Sequence, residues 1–200
     1  MSDAATQHRE RAARFAAVID GVTDWAAPTP VKEWTARDVV AHLTSWFPEF
    51  LAAGGVSIPA GRPDDPRGSW ARQTAAVQRL LDNPETAEAE FTHPYVGTQS
   101  LAAAVSNFYT ADVFMHTWDL ARASGQDDTL DEAECAEVLA GMQQMAPVIR
   151  ASGQFGDQQP VADDASAQEK LIAFIEEQER HGVARAPDMG ISMVEIGRAS

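Results

Sequence analysis

Leu101-Ala-Ala-Ala-Val105-Ser-Asn-Phe108-Tyr109-Thr-Ala-Asp112-Val-Phe-Met-His116-Thr-Trp118-Asp119-Leu120-Ala-Arg122 is the stretch on which the fold turns. At helical pitch, Leu101, Val105, Phe108, Tyr109, Asp112, His116 and Leu120 share one stripe. That stripe is apolar except at Asp112 and His116, whose Cβ atoms stand about 5–6 Å apart, one turn from each other. Leaving a carboxylate and an imidazole bare on a core-facing stripe costs several kcal/mol, roughly the scale for uncompensated polar burial. They need a partner. A metal ion between them is one reading; a hydrogen-bonded pair at the helix edge is the other.

The flanking sequence reads as helices too. Residues 4–22 place Phe15, Val18, Ile19 and Val22 on one face, and Trp25-Ala-Ala-Pro28-Thr-Pro30 ends that helix. A second helix opens at Thr35, with Asp38 placed to complete a capping box. Its stripe is Val39, Leu43, Trp46 and Phe50, with His42 on the same side. A Gly/Pro-rich loop spans 53–68, of the length that often forms a lid or rim. A third helix is expected over 69–83, with Trp70, Val77, Leu80 and Leu81 apolar. Phe91 to Gly97 reads as extended and turn-like. The helix containing Asp112 and His116 is expected over 99–123, stopped by Gly125.

Beyond it, Thr129-Leu-Asp-Glu132 and Ser166-Ala-Gln-Glu169 read as capping boxes for a fifth helix to about Ile149 and a sixth carrying Leu171, Ile172, Phe174 and Ile175. The strand signal is weak throughout. The fold class is all-α: a four-helix bundle with core helices over 4–125 and a helical C-terminal extension over 130–175. Together these make one domain, 1–175, followed by a tail, 176–200.

Two hundred residues with a formal charge of −15 exclude a nucleic-acid surface, which needs clustered Lys and Arg. The same charge disfavours an anionic membrane, and no apolar run approaches spanning length. The N-terminus shows no secretory signal, so a cytoplasmic location is expected. The single cysteine, Cys135, excludes an intramolecular disulfide, and its acidic neighbours disfavour the thiolate.

Of the five histidines, only His42 and His116 fall on faces expected to be buried. His8, His93 and His181 read as surface or loop residues. A third ligand from a facing helix would complete a two-His, one-carboxylate set with Asp112, which leaves coordination positions open. Asp119, one turn past His116, is placed either to accept the second ring N–H or to sit on the helix surface. Trp34, Trp46 and Trp118 read as core residues ahead of a substrate face. Arg122 reads as a solvated helix end ahead of an anion contact. His93 at a cleft rim, Arg122 and Trp46 are the candidates for contact with substrate or cofactor.

Two motifs carry a family resemblance. One is His116-Thr-Trp118-Asp119-Leu120-Ala-Arg122-Ala-Ser-Gly125-Gln; the other is Trp25-x-x-Pro28-Thr-Pro30-x-x-x-Trp34-Thr-x-x-Asp38-x-x-x-His42-Leu. Together they resemble the DinB-like proteins, and more narrowly the metal-binding N-terminal domain of mycothiol-dependent maleylpyruvate isomerase. The resemblance covers about residues 10–175. It implies a DinB-like bundle holding a divalent metal, typically zinc, through residues that fall on His42, Asp112 and His116. The isomerase-type carboxylate is a Glu, so Asp112, one methylene shorter, brings the ion nearer its own helix or leaves room for a water. Val31 stands where relatives often have Cys.

The function expected is a metal-dependent enzyme using a low-molecular-weight thiol, mycothiol by analogy, as an S-transferase or thiol-assisted isomerase. Its partners would be that thiol and an electrophilic small molecule, with a homodimer left open. One alternative is a non-catalytic bundle binding metal or a small molecule. The other is a metal-free bundle in which Asp112 and His116 form a buried pair.

Overall fold

The computed structural model describes residues 3–151, 161–162 and 164–180. They fall into two compact units, the first ending at Asp128 and the second opening at Thr129.

In the first unit, α1 (Asp3–Gly21), α2 (Ala36–Ala53), α3 (Pro66–Asp82) and the long helix through Asp112 make the bundle expected from the periodicity. α1 and α2 each pack against α3 and against α6 (Ala111–Ser124), so the four rods close a ring around one core. Phe15, Leu43, Phe47, Leu51, Val77, Leu81, Val105, Tyr109 and Leu120 fill that core. At ~1.5–3 kcal/mol for each fully buried large side chain, this packing is the main source of stability.

Local chemistry fixes the ends of the rods. The Asp38 carboxylate accepts from both the backbone N–H and the hydroxyl of Thr35, at 2.8 and 2.6 Å, which starts α2 where expected. Asp65 caps α3 by accepting from Gly68 N at 3.0 Å, with Pro66 at the first helical position, where no N–H is needed. Pro48 lies inside α2 and deprives the Thr44 carbonyl of its helical donor. Gly61 N supplies the replacement at 2.8 Å. A Cβ on Gly61 would run into the Thr44 side chain, so only glycine makes this approach. The 54–65 segment is also held by Arg62 N donating to Ser69 Oγ at 2.7 Å and by Arg37 donating to the Pro63 carbonyl at 3.0 Å. Expected as a lid or rim, it is a tied strap.

Two stretches differ from expectation. After a one-turn helix α4 (Pro84–Ala87), residues 90–100 form a hairpin, β1 (Glu90–His93) paired antiparallel with β2 (Gly97–Ser100). The helix expected from 99 is not uniform. It begins as α5 (Leu101–Ala104), widens to a π-helix over Val105–Thr110, and resumes as α6. Within the π segment Ala111 N donates to Ser106 O, five residues back. Tyr109 explains why the wider turn is tolerated. Its ring stacks on Phe47 at 3.9 Å, and its hydroxyl accepts from Gln73 at 2.9 Å. Gly125, at φ 67°, ends α6 as foreseen.

In the second unit, α7 (Glu132–Ala151) packs on α8 (Ala167–Arg180). Asp131, rather than the expected Thr129, caps α7, accepting from Glu134 N at 2.9 Å. The Ser166/Glu169 box forms as read, at 2.8 and 3.1 Å. Leu171, Phe174, Ile175 and Cys135 are buried. The part of the expected tail beyond Arg180, with His181, lies outside the described residues.

Candidate metal centre

α2 and α6 run antiparallel and side by side, which brings His42 opposite His116 with ring centroids 4.9 Å apart. Asp112, one turn before His116, places its carboxylate between them. His42 Nε2 lies 3.2 Å from Asp112 Oδ2, and His116 Nε2 lies 3.5 Å from Asp112 Oδ1. One donor atom from each of the three residues lies within 4.8 Å of the others. Donors held at ~2.0–2.1 Å around a tetrahedral ion stand roughly 3.3 Å apart, so both imidazole–carboxylate spacings suit a shared cation.

Asp119 decides which face of His116 is available. Its Oδ2 lies 2.8 Å from His116 Nδ1, and both side chains are fully buried. A carboxylate accepts, so Nδ1 carries a hydrogen, and in the neutral ring Nε2 keeps a lone pair. That Nε2 is buried and has no hydrogen-bond partner. A lone pair facing a carboxylate oxygen in a dry interior is costly unless a proton or a cation lies between them. The residues therefore fit a divalent ion. Side-chain exposure is 4% at His42, 0% at His116 and 18% at Asp112, so solvent reaches the group past Asp112.

Two indoles finish the surroundings. Trp46 Nε1 donates to Asp112 Oδ2 at 3.1 Å, which fixes the carboxylate's orientation. Trp34 lies against both imidazoles, its ring 5.0 Å from His42 and 5.8 Å from His116. Trp34 is carried by a turn closed by the Pro28–Thr35 bridge, with Thr29 N donating to the Trp34 carbonyl at 3.0 Å. Glu33, just before it, takes a left-handed φ of 66°, uncommon for a residue with a side chain, and so aims the indole inward.

Of the residues read from the sequence, His42, Asp112, His116, Asp119 and Trp46 meet here. Arg122 does not join them; it is exposed, pairs with Asp128 at 3.0 Å and lies over the Trp118 ring. His93 connects to the group through aromatic neighbours, stacking on Phe50, which packs on Trp46. It is buried, against the expectation of a loop residue, because the hairpin folds it onto Phe50. His8, also expected at the surface, is sealed between α1 and α3, with Nδ1 2.8 Å from Gln78 Oε1. Burial pushes the imidazoles of both His8 and His93 below their ordinary pKa. The contact of Trp34 with the ligand rings escaped sequence reading. Its signals are its place in the motif that carries the resemblance and its position just before the cap of the helix that bears His42.

The sequence model of the mycothiol maleylpyruvate isomerase N-terminal domain matches residues 5–121, the stretch that holds Trp34, His42, Trp46, Asp112, His116 and Asp119. Two uncharacterized proteins of Mycobacterium tuberculosis, from strains CDC 1551 / Oshkosh and ATCC 25618 / H37Rv, are each 29% identical over 174 residues. The match spans 84% of this chain and 94% of each relative. No solved structure matches the chain. With more than half its length matched and the donor cluster in place, the chain belongs to the mycothiol maleylpyruvate isomerase N-terminal domain family, a DinB-like family.

Proposed function

We propose that this protein binds a divalent cation, zinc by preference, through His42, Asp112 and His116, and uses it with a low-molecular-weight thiol of the mycothiol type. The reaction is transfer or isomerisation of an electrophilic small molecule. The observation that carries the metal reading is His116 Nε2: buried, without a hydrogen-bond partner and facing the Asp112 carboxylate, on a ring whose Nδ1 is held by Asp119. Kinship with the isomerase domain supports the thiol.

His42, Asp112 and His116 would hold a divalent ion that, when bound, would acidify a thiol placed beside it, the thiol proton passing to solvent. The protein's own groups do the rest. Asp119 holds the His116 tautomer, Trp46 holds Asp112, and Trp34 covers the imidazole faces so that approach is past Asp112. The thiol sulfur bonds to an electrophilic carbon. In transfer, the carbon's leaving group departs with the bonding pair. In isomerisation, the adduct rotates and the sulfur is expelled again.

One observation favours a second reading. His42 and Asp112 are already within hydrogen-bond distance of each other, as a metal-free polar pair would be. Elemental analysis, followed by turnover assays with mycothiol and an electrophile before and after chelation, separates the readings. Stoichiometric metal and chelator-sensitive turnover support the enzyme. Metal without turnover supports a binding protein, and absence of metal supports the pair.

A further inference from the structure

The facing stripes of α2 and the long helix form a ladder whose rungs are four residues apart on each side. His42 meets His116 (ring centroids 4.9 Å), Trp46 meets Asp112 (3.1 Å hydrogen bond), and Phe50 meets Phe108 (centroids 5.5 Å). Four residues of helix advance about 6 Å, so the phenyl rung lies next to Asp112, the most exposed of the three donors. Phe50 and Phe108 are only partly buried. Beyond them the hairpin supplies His93, stacked on Phe50 at 4.5 Å and 23°.

The hydrogen-bonding state of His93 is settled by its neighbour. Tyr95 N donates to His93 Nδ1 at 3.2 Å, so the ring hydrogen is on Nε2. No group among the described residues accepts from that Nε2–H, and the atom is not sealed from solvent. Desolvation favours the neutral ring, which keeps this arrangement. The surface therefore combines partly open phenyl faces with one unused donor.

From this juxtaposition we infer that Phe50, Phe108 and His93 form a subsite for an uncharged, flat aromatic ring bearing a hydrogen-bond acceptor, held beside the metal centre. Aromatic faces prefer another ring in offset or edge contact at centroid distances of ~4.5–7 Å, a preference a saturated ring cannot satisfy. An anionic group is disfavoured by the net charge of −15. The cation–ring contacts among the described residues fall on Phe114, Trp25 and Trp118, not on this rung. The subsite rests on the proposed function for what it flanks, but its own chemistry needs no metal.

Acetophenone and cyclohexyl methyl ketone, which share the acceptor and differ in the flat ring, are suitable probes. Calorimetric or NMR titration of the purified protein, with and without chelator, should show acetophenone bound at least ~10-fold more tightly, by analogy with ring-pair energies. Phe50→Leu and Phe108→Leu should each remove most of that preference while leaving metal content unchanged. His93→Phe, which keeps the stack and deletes the donor, should weaken acetophenone several-fold. Equal affinity for the two ketones in the wild type overturns the inference, and so does a preference that survives both Leu variants. Failure of the metal reading would look different: no stoichiometric metal, with ketone discrimination intact.

Discussion

Asp119 Oδ2 lies 2.8 Å from His116 Nδ1, three residues earlier on α6, and neither side chain reaches solvent. The pair fixes both the tautomer and the tilt of the ring that faces Asp112. Asp119→Leu should therefore weaken metal binding by about 10–100-fold, the usual cost of losing such an orienting acceptor. A chelator-competition titration measures it. Arg122→Ala, at an exposed helix end, should leave affinity unchanged.

Trp46 Nε1 donates to Asp112 Oδ2 at 3.1 Å from the facing helix. Trp46→Phe keeps much of the packing and deletes the donor. A hydrogen bond to a carboxylate is worth ~1.5–3 kcal/mol, so urea unfolding of the metal-free variant should show a loss in that range or slightly below. An unchanged midpoint would mean that water replaces the indole at no cost.

The bundle was legible because its signals are local. The Val39–Phe50 and Leu101–Leu120 stripes are helical by spacing, and Thr35, Asp38 and Gly125 mark ends by capping chemistry. His42, Asp112 and His116 stood out as polar interruptions of apolar stripes, which is why they could be named before their distances were known. Asp119 was readable for the same reason, being one turn along. What escaped was set by tertiary packing. The π turn at Val105–Thr110 has no sequence pattern of its own; the contacts of Tyr109 with Phe47 and Gln73 accommodate it. His8 and His93 look like solvent-facing residues until α3 and the hairpin close over them. Trp34 reaches the imidazoles only through the left-handed turn at Glu33.

His8 gives a pH signature. Its pKa is lowered, first by desolvation, so the unfolded chain binds more protons than the folded one below the ordinary value of 6.5. Stability should be fully present above about pH 6.5 and fall as pH drops towards the lowered folded value, by at most about 1.4 kcal/mol per pH unit. Comparing metal-free wild type with His8→Gln isolates this contribution. The difference between their unfolding free energies should be flat from pH 7 to 8.5 and should shift in favour of the variant below 6.5. A difference that stays constant down to pH 5 would contradict the assignment.

Gly61 repairs the gap left by Pro48, its N–H reaching the Thr44 carbonyl at 2.8 Å. Gly61→Ala forces its new methyl into Thr44 and should cost about 1–3 kcal/mol, the scale of overpacking. Thermal melts would register it as a lower midpoint. The double variant Gly61→Ala/Thr44→Ala, with the obstructing hydroxyl removed, should recover part of the loss.

Elemental analysis of the protein as purified, alongside His42→Ala and His116→Ala, addresses the metal centre with least interpretation. One divalent ion per wild-type chain and almost none in either variant, all three folded by circular dichroism, is the expected result. Stoichiometric metal retained in both histidine variants, or no metal in the folded wild type after incubation with zinc, would show that these side chains do not hold a cation.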